Sequence, residues 1–182
     1  MHSVLLMLTS LTSAGLVYAA ASRSAYDDNY AQDRAEIEDL LGRYAYAADW
    51  QDAEIYPALF TEDGVLDWAR GVARGRDAIH EEVIGMRTAF AAQEAEAAPL
   101  RPARLRHFIT NLVLKVHGDT TVGTAFWVEF DNRNAEGLAY SGAYGHSEDT
   151  YRKVDGQWLF ASRKIFNENM ADRTAPMVNP AW

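Results

Sequence analysis

The polar, proline-punctuated stretch Gln93–Pro102 divides a mainly helical part of this chain from one made of strands, and that division dictates the fold class. Before it, apolar residues recur every three or four positions in two long stretches around one short strand-like segment; beyond it they fill long segments of β character. A first amphipathic helix is predicted from Asp33 to Trp50, with Ile37, Leu40, Leu41, Tyr44, Ala47 and Ala48 on one stripe. Ile55–Phe60 reads as a short second helix with Pro57 in its first turn, Thr61–Gly64 as a turn, Val65–Trp68 as a strand, and Gly71–Gly75 as a second turn or short hairpin. A third helix covers Asp77 to about Ala92, with Ile79, Val83, Met86 and Phe90 on one side. Four strands follow: Arg106–Val116, Thr120–Phe130, Leu138–Val154 and Gln157–Phe166. His117-Gly118-Asp119 and Asp155-Gly156 supply two of the turns. Helices first and long strands after them specify an α+β domain, its N-terminal helices packed on one face of a curved, mainly antiparallel sheet.

One strand carries a further implication. Thr120–Phe130 has apolar groups on both alternating sets, Ala125 and Trp127 on one side and Phe126, Val128 and Phe130 on the other. A sheet with one wet face does not look like that. Left in water, the second face would exceed the apolar patch that soluble monomers usually tolerate, so a homodimer through the sheet is expected.

With 182 residues, 48% of them hydrophobic, the chain can build one well-buried core. Residues 28–169 are assigned to that domain and 170–182 to a C-terminal tail. The net charge is −9 and the 17 Lys and Arg residues form no run, so the basic surface that nucleic acid or an anionic membrane requires is missing. There is no cysteine, which excludes disulfides, thiolate nucleophiles and Cys-based zinc sites. Val4–Ala21 is uncharged, mostly apolar and ends in small residues, so residues 1–21 read as a signal peptide cleaved near Ala19 or Ala21. Met1-His2-Ser3 offers no Lys or Arg, which leaves a retained anchor open. The expected address is secreted or periplasmic.

Chemistry can be carried by Tyr44, Asp49 and His107, which supply a phenol, a carboxylate and an imidazole. Asp49 falls at the end of the first helix beside Trp50; alone, it reads first as a solvated end-of-helix acid, and its company with Tyr44 and His107 is what makes it a candidate. Tyr44 lies on the apolar stripe, about 140° around an ideal helix from Asp49. The two serve one site only if the helix end lies across a cavity mouth or unwinds there. His107 opens a strand, and by alternation Ile109 and Asn111 share its face. Glu129 shares a face with Trp127; His146, Glu148 and Asp149 read as a solvated edge. His80-Glu81-Glu82-Val83-Ile84 is not a helical zinc motif, and no phosphate-binding glycine fingerprint or Gly-x-Ser-x-Gly elbow occurs. Neither metal nor cofactor is expected.

Several segments carry a family resemblance in order and spacing: the helix from Arg34 through Tyr44 to Asp49, Phe60-x-x-Asp63-Gly, Gly75-Arg-Asp-Ala-Ile79, His107-x3-Asn111, Gly118-Asp-Thr120 and Tyr151-Arg-Lys-Val-Asp-Gly-Gln-Trp158. From Asp33 to Phe166 the chain resembles the SnoaL-like branch of the NTF2-like superfamily. The resemblance implies a cone of helices on a curved sheet around a deep apolar pocket, commonly dimeric. Its polar positions are similar to those of scytalone dehydratase, bile acid 7α-dehydratase and hexachlorocyclohexane dehydrochlorinase, which implies an Asp49–His107 dyad with Tyr44 for cofactor-free elimination or isomerisation. Trp50, Trp68, Asn111, Trp127, Glu129 and Arg163 are then candidates to hold a small, largely apolar organic substrate. Non-catalytic members exist as well, so a secreted ligand-binding or assembly module is the alternative.

Overall fold

Ile37, Leu40, Leu41, Tyr44 and Ala47 are buried along one stripe of helix α1 (Tyr30–Asp49), as the spacing predicts. Ile37 and Leu40 are wholly inaccessible, and each such side chain contributes about 1.5–3 kcal/mol by leaving water. The computed structural model describes residues 29–96, 104–134 and 136–181. The expected signal peptide and most of the proline-punctuated loop lie outside them. A single turn, α2 (Ile55–Ala58), follows, then strands β1 (Phe60–Trp68) and β2 (Gly71–Arg74), which form the short hairpin. Helix α3 (Arg76–Glu96) buries Ile79 and Val83, and its following turns turn Met86 and Phe90 toward an internal cavity. Among the described residues no helix is long and apolar enough to cross a membrane.

The second half gives β3 (Leu105–His117), β4 (Thr120–Asp131), β5 (Tyr140–Val154) and β6 (Gln157–Ile165). The six strands form one sheet in the order β2-β1-β6-β5-β4-β3, antiparallel throughout except for the β1–β6 pair. Residues 61–64, expected as a turn, belong to β1 but leave its ladder, which is registered at Phe60↔Phe160 and resumes at Val65↔Ser162. Gly64 permits this excursion: a Cβ there would stand 2.8 Å from the Phe60 Cβ and 2.9 Å from the Thr61 carbonyl oxygen.

The helices cover the inner face of the sheet, which carries Leu105, His107, Ile109, Trp127 and Glu129. The opposite face leaves Phe108, Phe126, Tyr144 and Phe130 between 45% and 57% exposed. One reading is corrected by topology. The stretch His146–Asp149 is not a solvated edge, because β5 lies between β4 and β6 at the centre of the sheet. His146 and Asp149 are buried, and only Glu148 faces water.

Candidate active site

Helix α1 stops at the candidate carboxylate, Asp49. The Trp50 N–H still bonds to the Tyr46 carbonyl at 3.0 Å, but Gln51 takes a left-handed conformation at φ 52° and the chain turns away. The last helical residue, Asp49, is thereby laid against the first residues of β3. Its side chain is 4% exposed, accepts the His107 backbone N–H at 3.0 and 3.2 Å, and meets His107 Nδ1 at 2.6 Å. An ionised carboxylate only accepts, so Nδ1 carries the ring proton and Nε2 offers its lone pair. Asp49 and His107 border both the internal cavity and a groove of about 800 Å³ outside it. Tyr44 and Asp49 both border the internal cavity.

The internal cavity measures about 280 Å³, at the small end of ordinary ligand pockets. Trp68, Met86, Phe90, Ile109, Trp127 and Ile165 give it an apolar lining, into which Tyr44, Asp49, His107, Glu129 and Arg163 bring polar atoms. Trp127 is fixed by its Nε1–H, which donates to the Phe166 carbonyl at 3.1 Å. Glu129 Oε2 stands 3.7 Å from His107 Nε2. Among the described residues no three His, Asp or Glu side chains are grouped as a metal site.

Behind Arg163 lies a buried polar network. Arg163 donates to Asp149 Oδ2 at 2.9 Å, and the same oxygen accepts from the Ser147 and Tyr151 hydroxyls at 2.9 and 3.0 Å. The guanidinium carbon stands 4.2 Å from the centre of the Tyr44 ring, and Tyr56 donates to the Tyr44 hydroxyl at 2.8 Å. Burial alone would lower the Arg163 pKa, but Asp149 and the surrounding phenols hold it above the ordinary value. Burial raises Asp149, with Arg163 pulling it back. Burial also raises Tyr44, opposed by Arg163, so Tyr44 stays a neutral phenol and its O–H can donate into the cavity. Arg163 Nε and Trp68 Nε1 are buried and find no hydrogen-bond partner among the described residues. An oxygen-bearing occupant would satisfy such donors.

These phenols make alkaline stability predictable. Burial raises Tyr44, Tyr56 and Tyr151, the last two strongly. Above the unfolded phenol value of about 10, the unfolded chain loses protons that the folded chain keeps. Their contribution is therefore full below that pH and is lost as pH rises from there through the raised folded values. Thermal melts should show Tm falling steeply above pH 10, with some tyrosines ionising only on unfolding. A flat Tm through that range would contradict the assignment.

Not every candidate faces the cavity. Trp50 is 57% exposed, stacked on Tyr46 with ring centres 5.5 Å apart and covered by Arg106 at 3.9 Å. Asn111 faces outward too, because β3 carries a bulge between Thr110 and Val113 and Asn111 adopts φ 56° within it. The alternation that placed it beside His107 ends at that bulge. Sequence reasoning missed Tyr56 and Asp149. The Asp155-Gly156 hairpin fixes Tyr151 opposite Phe160, and a register shift beyond Tyr151 brings Asp149 opposite Arg163.

No curated protein sequence matches the chain significantly. Solved structures do. Rv3472 of Mycobacterium tuberculosis, a protein of unknown function, is 29% identical, covers 82% of this chain and 80% of its own, and superposes with a TM-score of 0.63. A candidate scytalone dehydratase from Novosphingobium aromaticivorans gives 25% identity, coverages of 84% and 95%, and a TM-score of 0.64. A Catenulispora acidiphila protein in complex with S-DNPA gives 25%, 76% and 96%, and 0.63. The SnoaL-like domain model matches residues 29–164, so the chain belongs to the SnoaL-like family, a branch of the NTF2-like superfamily with enzymatic members.

Proposed function

We propose that this protein is a cofactor-independent acid/base lyase of the dehydratase type, or an isomerase, acting on a small, largely apolar molecule that carries a carbonyl oxygen. The observation behind this reading is the 2.6 Å contact between His107 Nδ1 and an almost inaccessible Asp49, with Nε2 left toward an apolar cavity. Asp49 holds the tautomer, and Nε2 removes a proton from the carbon next to the carbonyl. The C–H electron pair moves toward the carbonyl oxygen, where Tyr44 donates a hydrogen bond to the developing charge. Water exclusion by Trp68, Trp127 and Phe90 strengthens each of these interactions.

The test uses two probes of the size of the cavity: 3-hydroxy-1-tetralone, whose dehydration yields 1-naphthol, and 3-cyclohexen-1-one, whose isomerisation yields the conjugated enone. Turnover of either that depends on His107 supports the proposal. Saturable binding of both without turnover would favour the ligand-binding module instead.

We also propose that the exposed apolar face of β3, β4 and β5 pairs with a second copy of the chain. Phe108 and Phe130 already meet edge to face there at 5.6 Å, and Phe126 and Tyr144 extend the patch. Phe126→Lys should convert a sedimenting dimer to monomer at micromolar concentration. A wild-type monomer under those conditions would reject the interface.

A further inference from the structure

We infer that Glu129 relays the proton that His107 removes and delivers it to a hydroxyl leaving from the same face of the bound molecule; this rests on the acid/base reading of the pocket. His107 and Glu129 are direct cross-strand partners on β3 and β4 and point into one cavity. The Glu129 carboxylate sits in a built seat. The β4–β5 ladder breaks between Val128↔Tyr144 and Phe130↔Ser141, and in that break the Ala143 N–H donates to Glu129 Oε1 at 3.1 Å. Gly142 leaves the room, since a Cβ there would stand 2.7 Å from Oε1 and 3.0 Å from Cγ. With Oε1 held, Oε2 is left 3.7 Å from His107 Nε2.

That separation decides what the pair can do. It is too long for a hydrogen bond in the resting site. It is also too short to admit a molecule between the two atoms, which needs two contacts of about 3.5 Å each. Nε2 and Oε2 therefore address one face of the occupant. In the forward step Nε2 takes the proton from the carbon next to the carbonyl, and the C–H pair becomes an enolate. The imidazolium then attracts the carboxylate, and the proton passes from Nε2 to Oε2. The resulting carboxylic acid gives that proton to the hydroxyl on the next carbon as the C–O bond breaks. The enolate pair forms the C=C bond, water departs, and neutral imidazole and carboxylate are restored.

The experiment uses the full chain and 3-hydroxy-1-tetralone with deuterium at C2, either cis or trans to the hydroxyl. The cis isomer should give unlabelled 1-naphthol, and the trans isomer should keep its deuterium. Glu129→Gln should lower kcat on the hydroxy ketone by about 100-fold or more, yet by less than about fivefold on 3-acetoxy-1-tetralone, whose acetate leaves without being protonated. A merely structural glutamate would depress both substrates equally. Loss of the trans deuterium, or equal loss of rate on both substrates while turnover still depends on His107, overturns the relay and leaves the acid/base reading intact. If neither tetralone is turned over in a His107-dependent manner, the acid/base reading falls for this substrate class and the relay falls with it.

Discussion

Replacing His107 by alanine is expected to lower kcat by about 100- to 10,000-fold, the usual contribution of a positioned general base. The fold should tolerate the change, because His107 lies at the cavity wall, bonded to Asp49 and set 6.0 Å from the Trp127 ring, outside the hydrophobic core cluster. Asp49→Asn is expected to approach the same loss by a different route. An amide presents a donor where the carboxylate presented only acceptors, so the ring can turn its protonated nitrogen toward the cavity and lose its base. The two losses should not add, since both variants remove one function. Measuring kcat and KM for the single and double variants on whichever probe is turned over tests this. Wild-type turnover in both single variants would end the dyad assignment.

The largest effect on stability is expected at Asp149. Asp149→Ala would leave the Arg163 guanidinium buried without its carboxylate and the Ser147 and Tyr151 hydroxyls without their acceptor. Removing one partner of a buried ion pair costs about 3–5 kcal/mol, a large fraction of the roughly 5–15 kcal/mol that holds a typical domain together. Urea denaturation should show the midpoint falling accordingly. The double variant Asp149→Leu with Arg163→Met should recover much of the loss, because well-packed apolar replacements of buried pairs are often close to neutral. A single variant within about 1 kcal/mol of wild type would show that water or a rearranged partner takes the place of Asp149.

The helical stripes were legible because burial against a sheet imposes its period directly, as at Ile37, Leu40, Leu41 and Tyr44. Strand positions were legible too, but their order in the sheet was not, since only two of the turns between them carry a signal. What alternation could not reveal is where a strand gains a residue. The bulge between Thr110 and Val113 put Asn111 outside the cavity, and the break opposite Glu129 freed the N–H that seats its carboxylate. Trp50 misled for a related reason: it follows Asp49 directly, but Gln51 reverses the chain and leaves the indole in solvent. Asp149 read as a surface acid because its neighbours His146 and Glu148 are polar. Only the sheet order, which sets β5 between two strands, makes it interior.

Among the described residues strand β3 has no neighbouring strand beyond it, so its outer edge presents backbone groups that an extended segment could pair with. Two of those groups are already engaged by side chains of α1: Asp49 takes the His107 N–H, and Arg34 donates to the Leu112 carbonyl at 3.2 Å. The helix therefore acts as a guard rail against strand-to-strand polymerisation, and Asp49 is one of its posts. Mutational loss of this carboxylate would uncover an adhesive edge as well as disarm the proposed base. Under the proposed dyad, selection on solubility and selection on turnover act on the same two oxygen atoms.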